Sequence, residues 1–219
     1  MDLSLKKAVL FDLDGTLTDP GEGIVNSFLY ALSACGIPIL EERSLYREVV
    51  GPPLVDSFVK FAGFDREKAR ETVEIYREYF RDRGIFENVV YPGIPELLRK
   101  NREKGRRNLV ATSKPEEFSR RILSHFALAP LIDGVAGATM DEKRTGKKDV
   151  IAHALRVFSL RPEEAVMVGD RKFDAEGAEA CGVDFIGVTY GYGTREELTL
   201  AGAEELAESV GELMTLLQL

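Results

Sequence analysis

The 219 residues carry enough apolar side chain, 44% of the chain, to bury a sizeable core, either as one generous domain or as a domain with a smaller insert. Asp and Glu (37) outnumber Lys and Arg (29), and the formal charge of -8 disfavours nucleic-acid backbones and anionic membranes as main partners. A small anionic ligand fits that field only where local positive charge or a metal offsets it.

No apolar run approaches the roughly 20 residues of a membrane helix. The N-terminal MDLSLKK passes directly into a strand-like run without a signal-peptide pattern, so the expected location is cytoplasmic. That first run, Ala8 to Leu13, is followed by Asp14-Gly15-Thr16-Leu17-Thr18-Asp19. From about Pro20 to Arg83 the strand signal disappears and only amphipathic helix patterns remain, which reads as an inserted helical domain. Ile24, Val25, Phe28, Leu29 and Leu32 share one apolar face, and Val73, Tyr76 and Phe80 share another. Between them Gly51-Pro52-Pro53 makes a rigid non-helical turn. Cys35 and Cys181 each precede a glycine at a helix end and read as buried bystanders.

Beyond the insert, apolar runs alternate with helical patterns, the mark of βαβ units and a parallel sheet. The runs are Asn108 to Thr112, Ile132 to Ala136, Ala165 to Gly169 and Asp184 to Val188. Pro95 opens a helix that Gly105 closes, and the helix after Asp174 stops at Gly182. Lys104, Arg106 and Arg107 read as a solvated helix terminus, and His125 and His153 as packing or surface residues.

The chemistry-bearing residues gather at strand ends. In a parallel sheet, ligands bind beyond the carboxyl ends of the strands, where Asp12 and Asp14 sit after the first run. A turn at Gly15 can splay the two carboxylates around one centre; an Asp-Gly hairpin turn is the plainer alternative. Thr112 ends a later strand and offers a hydroxyl and neighbouring backbone N–H groups, with Ser113 beside it, to phosphate oxygens. Lys147, at the entry to the helix carrying Val150, Ile151 and Leu155, can neutralise a nucleophile and a phosphate together; Lys143 and Lys148 are the alternatives. Asp170 and Asp174 follow the strand Ala165 to Val168. Clustered carboxylates call for a hard cation, and all-oxygen ligation favours magnesium.

Taken together, Asp12-Leu13-Asp14-Gly15-Thr16-Leu17-Thr18-Asp19, Thr112, Lys147 and Gly169-Asp170-Arg171-Lys172-Phe173-Asp174, in this order, resemble the haloacid dehalogenase (HAD) superfamily over essentially the whole chain. The resemblance implies an α/β fold with a Rossmann-like parallel core at residues 1–18 and 85–219 and a C1-type α-helical cap at 19–84. Gly51-Pro52-Pro53-Leu54, Thr112-Ser113-Lys114-Pro115 and Tyr190-Gly191-Tyr192-Gly193 are most similar to phosphoglycolate phosphatase-like proteins and a neighbouring 5'-nucleotidase branch. It further implies Asp12 as nucleophile and Asp14 as general acid and base, with Thr112 and Lys147 on the phosphoryl group. Magnesium would be held by Asp12, the Asp14 backbone carbonyl and Asp170, with Asp174 in support. Cap residues around Gly51-Pro52-Pro53 and Arg47 would set specificity.

The implied function is magnesium-dependent hydrolysis of a small phosphorylated metabolite, phosphoglycolate or a nucleoside 5'-monophosphate, by a monomer or homodimer. A sugar phosphomutase shares every one of these motifs and differs only in the acceptor. A phosphate-accepting switch also places an aspartate at a parallel strand end, but without a helical insert of this length or a second acid placed like Asp14.

Overall fold

The computed structural model describes residues 2–39, 46–140 and 143–219, with the side chains of Tyr46 and Arg47 outside that description, so the expectation placed on Arg47 falls outside it too. The strands are β1 (Ala8–Phe11), β2 (Thr18–Asp19), β3 (Val89–Val90), β4 (Arg107–Pro115), β5 (Gly134–Ala138), β6 (Ala165–Gly169), β7 (Asp184–Val188) and β8 (Glu205–Ala207). The helices are α1 (Gly21–Ala34), α2 (Tyr46–Val49), α3 (Leu54–Ala62), α4 (Arg66–Tyr79), α5 (Ile94–Glu103), α6 (Glu116–His125), α7 (Lys147–Val157), α8 (Lys172–Ala180), α9 (Arg195–Leu200) and α10 (Val210–Leu216).

Contacts divide the chain into two units, Met1–Thr18 with Val90–Leu219, and Asp19–Val89. The chain leaves the first unit and returns to it through β2 and β3, which pair with each other. The return falls five residues beyond the expected boundary at 84. Gly84 ends a π-helical turn, Phe80–Gly84, yet the chain stays bound to the helical unit through Gly23 N–H donating to the Glu87 carbonyl at 3.0 Å.

In the larger unit a six-stranded parallel sheet runs in the order β5-β4-β1-β6-β7-β8. The central strand β1 is buried along its whole length, as a strand covered on both faces must be, and this explains its unbroken apolar sequence. Side chains alternate across the sheet, so Ala8 and Leu10 share one face. There they join Leu109, Ala111 and Met167 against α7 and α8, in a core with Val150, Ile151, Ala154 and Ala178. Asp12 continues the same face one step past the strand, toward the first turn of α7. After β1 the chain builds outward through β4 and β5 on one side, then crosses to β6, β7 and β8 on the other. The order therefore reverses at β1, and a crevice opens at its carboxyl end, the place where sheets of this kind bind ligands.

In the smaller unit the Phe28 and Phe58 rings stack at 4.5 Å, and Val73, Tyr76 and Phe80 are buried, as the helical periodicity predicts. Gly51-Pro52-Pro53 is a non-helical bend with Gly51 and Pro53 exposed. Among the described residues no helix is long and apolar enough to cross a membrane.

Four sequence readings change. Cys35 and Cys181 are half-buried rather than buried, each as the C-cap residue of its helix. Arg106 is buried, and its guanidinium donates to the Leu217 carbonyl at 2.7 Å, anchoring the end of α10 instead of facing solvent. The strand expected at Ile132 to Ala136 starts two residues later and runs to Ala138, and β8, Glu205–Ala207, is too short for its two apolar residues to form a readable run. Asp14-Gly15 is not a hairpin turn, since β2 pairs with β3 rather than returning along β1.

Glu164 provides an acid-sensitive tie at the opposite end of the sheet. The Lys7 ammonium 2.6 Å away, with the Arg161 backbone and guanidinium, holds the Glu164 carboxyl down at about 2, against an ordinary value of 4.5. Its folded-state pKa is depressed, so its stabilising contribution is complete above about 4.5 and is lost as pH falls toward about 2. The difference in Tm between the parent and Glu164→Gln should therefore shrink across that window. A difference that stays constant would show that the carboxylate charge is not what stabilises.

Candidate active site

At the end of β1 the backbone turns sharply. Leu13 O accepts from Leu17 N at 2.9 Å and Thr18 N at 3.0 Å, and Gly15 N donates to Thr18 O at 2.7 Å. Gly15 takes a φ of +79°, and a methyl group there would collide with the Asp170 carboxylate. The turn sends Asp12 and Asp14 to different partners. Asp12 Oδ1 accepts from Leu13 N at 2.8 Å and lies 2.9 Å from Lys147 Nζ; its Oδ2 carries neither bond. Asp14 Oδ2 lies 2.6 Å from Lys114 Nζ, while its Oδ1 is buried without a hydrogen-bond partner.

Lys147 opens α7 and is buried, and its Nζ also reaches Asp174 at 2.6 Å and the Ala111 carbonyl at 3.2 Å. Gly177 of α8 makes room for it, since a Cβ there would press on the Lys147 side chain. The two lysines left open as alternatives, Lys143 and Lys148, are exposed. Burial works against the Lys147 ammonium, but the Asp12 and Asp174 carboxylates outweigh it and hold its pKa above the usual lysine value.

Asp170 directly follows β6 and is fully buried. One of its oxygens accepts from Tyr192 N at 2.8 Å, and Oδ1 has no hydrogen-bond partner. Asp174 sits in the first turn of α8, where its Oδ2 accepts from Arg171 N at 3.0 Å. Oxygens of Asp12, Asp170 and Asp174 all lie within 4.8 Å of one another. Burial and the neighbouring Asp174 and Asp12 charges push the Asp170 carboxyl well above its ordinary value, and burial brings Asp174 to about 6 against the pull of Lys147. Burial likewise raises Asp14, with Lys114 opposing.

Three converging carboxylates with an unmet oxygen between them fit a hard, oxygen-seeking cation, whose charge would reverse these upward shifts. The Asp14 carboxylate is not in this group, because Lys114 holds it apart; the resemblance assigns its backbone carbonyl, not its side chain, to the metal.

The strand expected to end at Thr112 continues to Pro115, past an irregularity in its pairing with β5; Thr112 is buried within it and its hydroxyl oxygen accepts from Lys114 N at 3.2 Å, whereas Ser113 is exposed. His125 is exposed, and His153 is half-buried with Nδ1 3.0 Å from the Arg156 guanidinium, both away from this crevice.

Lys114 is the residue that sequence reasoning left without a role. A signal for it existed: two positions after Thr112 on a strand, it falls on the same side. Arg171 likewise gains a partner, Glu197 of α9, at 2.9 Å from its Nε. The loop at Tyr190 to Gly193 wraps Asp170, with the Tyr190 hydroxyl donating to the Thr16 carbonyl at 3.0 Å and a buried phenol raised above its ordinary pKa.

The family model of haloacid dehalogenase-like hydrolases matches residues 9–188. A 5'-nucleotidase from Pseudomonas aeruginosa is 46% identical over 192 residues, covering 87% of this chain and 86% of that protein. The tyrosine-protein kinase PtkA of Mycobacterium tuberculosis is 42% identical over 212 residues, covering 93% of this chain and 72% of that one. The crystal structure of a predicted phosphatase from Clostridium acetobutylicum superposes with a TM-score of 0.92 at 45% identity, over 98% of this chain and 99% of that one.

Proposed function

The chain belongs to the haloacid dehalogenase-like hydrolases, as an enzyme of the phosphoric monoester class, and from that premise we propose that it is a magnesium-dependent phosphatase working through an aspartyl-phosphate on Asp12. One observation carries the reading: two carboxylates leave the same strand end into different surroundings, Asp12 held on one oxygen by Lys147 and Leu13 N, and Asp14 held on one oxygen by Lys114 with its other oxygen buried and without a hydrogen-bond partner. A nucleophile must stay ionised and an acid must hold a proton, and two neighbouring carboxylates do different work only when their surroundings differ.

In the first step Asp12 Oδ2, the oxygen not engaged by Leu13 or Lys147, attacks phosphorus. The bond from phosphorus to the leaving oxygen breaks, and Asp14 gives that oxygen its proton. In the second step Asp14, now a carboxylate, takes a proton from water as the water oxygen attacks phosphorus. The bond from phosphorus to Asp12 then breaks, releasing inorganic phosphate and restoring the Asp12 carboxylate. The Lys147 ammonium keeps Asp12 aimed and offsets charge on the phosphoryl oxygens, and the Thr112 hydroxyl with nearby N–H groups, including that of Ser113, donates to those oxygens. Magnesium, held by Asp12, Asp170 and the Asp14 backbone carbonyl with Asp174 behind them, would supply positive charge that lets a phosphate dianion approach an acidic protein. The helical unit, Asp19–Val89, serves as the cap that selects the substrate.

The substrate class is a small phosphorylated metabolite. Phosphoglycolate and nucleoside 5'-monophosphates are the two chemistries to compare; the 46% identical relative named 5'-nucleotidase favours the second. Hydrolysis of p-nitrophenyl phosphate should require magnesium, stop on EDTA and return when magnesium is restored. In labelled water the released phosphate should carry one water-derived oxygen. Activity unaffected by EDTA would overturn the metal. Unlabelled phosphate, or phosphoryl passed to a sugar or a tyrosine in place of water, would overturn hydrolysis.

A further inference from the structure

We infer that Lys114 is a positioning residue that dedicates one oxygen of Asp14 to holding its orientation and leaves the other to carry the proton. The inference rests on the aspartyl-phosphate reading and adds a residue to it.

The two oxygens of Asp14 live in different surroundings. Oδ2 sits 2.6 Å from Lys114 Nζ, with the Lys114 side chain 7% exposed and that of Asp14 18% exposed. Oδ1 is buried without a hydrogen-bond partner. An ammonium can only donate, so the oxygen it holds must accept in both states of the carboxyl. When Asp14 is protonated, Oδ2 is the carbonyl oxygen and the proton lies on Oδ1; when Asp14 is ionised, Oδ2 still accepts and Oδ1 is open to a proton from water. One contact therefore serves both half-reactions without any rotation of the side chain.

The placement of Lys114 is itself supported. The pairing of β4 with β5 shifts register between Thr112 and Pro115, and within that irregularity Lys114 N donates to Thr112 Oγ1 at 3.2 Å. The hydroxyl expected at the phosphoryl group thus also fixes the backbone from which Lys114 reaches Asp14. The two lysines do separate work: buried Lys147 bridges Asp12 and Asp174, and half-buried Lys114 takes Asp14.

A lysine acting only as positive charge for the phosphate would lose activity equally for every leaving group when removed. A lysine acting through Asp14 would not. Lys114→Met should reduce kcat/KM, which reports the phosphorylation step alone, at least tenfold more for an alkyl phosphate, whose leaving oxygen needs a proton, than for p-nitrophenyl phosphate, and Lys114→Arg should restore most of the difference. In the Asp14→Asn background the same Lys114→Met change should cost less than about twofold on either substrate, because the residue it acts through is already gone.

Equal losses across leaving groups, or losses that multiply in the double variant, would overturn the inference. Lys114→Met that is silent on kcat/KM for both substrates, with Tm equal to the parent, would also overturn it. Failure of the parent reading appears separately: a folded Asp12→Asn protein that keeps its phosphatase activity removes the aspartyl-phosphate, whatever Lys114 does.

Discussion

Asp12→Asn should abolish turnover, by at least about three orders of magnitude, while leaving the fold in place. The amide keeps the shape of the carboxylate, and its oxygen can still accept from Leu13 N and from Lys147 as Oδ1 does now. What it lacks is the ionised second oxygen that attacks phosphorus. The substitution also removes one of three mutually repelling carboxylates, and Asp174 remains to pair Lys147, so Tm should be unchanged or higher. Steady-state release of nitrophenol, read beside circular dichroism and a melting curve, decides the matter. Substantial activity in a folded variant would refute the nucleophile.

Asp14→Asn should separate the two chemical steps. p-Nitrophenolate leaves with little need for a proton, so formation of the phosphoenzyme should survive at a reduced rate. Hydrolysis of that intermediate has no such relief, because water must be deprotonated as it attacks. The phosphoenzyme should therefore accumulate, giving a burst approaching one nitrophenol per enzyme before a steady rate roughly 10²- to 10⁴-fold below the parent. Mass spectrometry of the acid-quenched protein should find one phosphoryl group on the peptide containing Asp12. With magnesium present and the fold verified, absence of both the burst and the added mass would withdraw the acid and base role from Asp14.

Most of the core could be read from the chain because its signals are local. A central parallel strand must be apolar throughout, so Ala8 to Phe11 announces itself, and the helices carry their own start and stop residues in Pro95, Gly105 and Gly182. Asp12 and Asp170 stand out because each directly follows such a strand. Other features depend on contacts between distant segments. The partner of Arg171 is Glu197, 26 positions away, and Arg106 is buried only because the end of α10 comes to it. Lys114 stands inside a recognisable Thr-Ser-Lys-Pro stretch, but a strand irregularity and Asp14, 100 positions earlier, give it its contact. The helical unit ends at Val89 rather than at Gly84 because a backbone bond from Gly23 extends it, and no side-chain pattern records such a bond.

The wrapping of Asp170 by glycine also determines how this enzyme can be damaged. A Cβ at Gly15 would strike the Asp170 carboxylate, one at Gly191 would strike Gly15 O and the same carboxylate, and one at Gly193 would strike the Asp170 carbonyl. None of the three contributes a functional group, so an inventory of reactive atoms would pass over them. Most of the site fails by subtraction, when a charge or a hydroxyl is taken away. Around Asp170 it fails by addition: a single methyl group displaces Asp170 while every acid, lysine and hydroxyl remains in the chain.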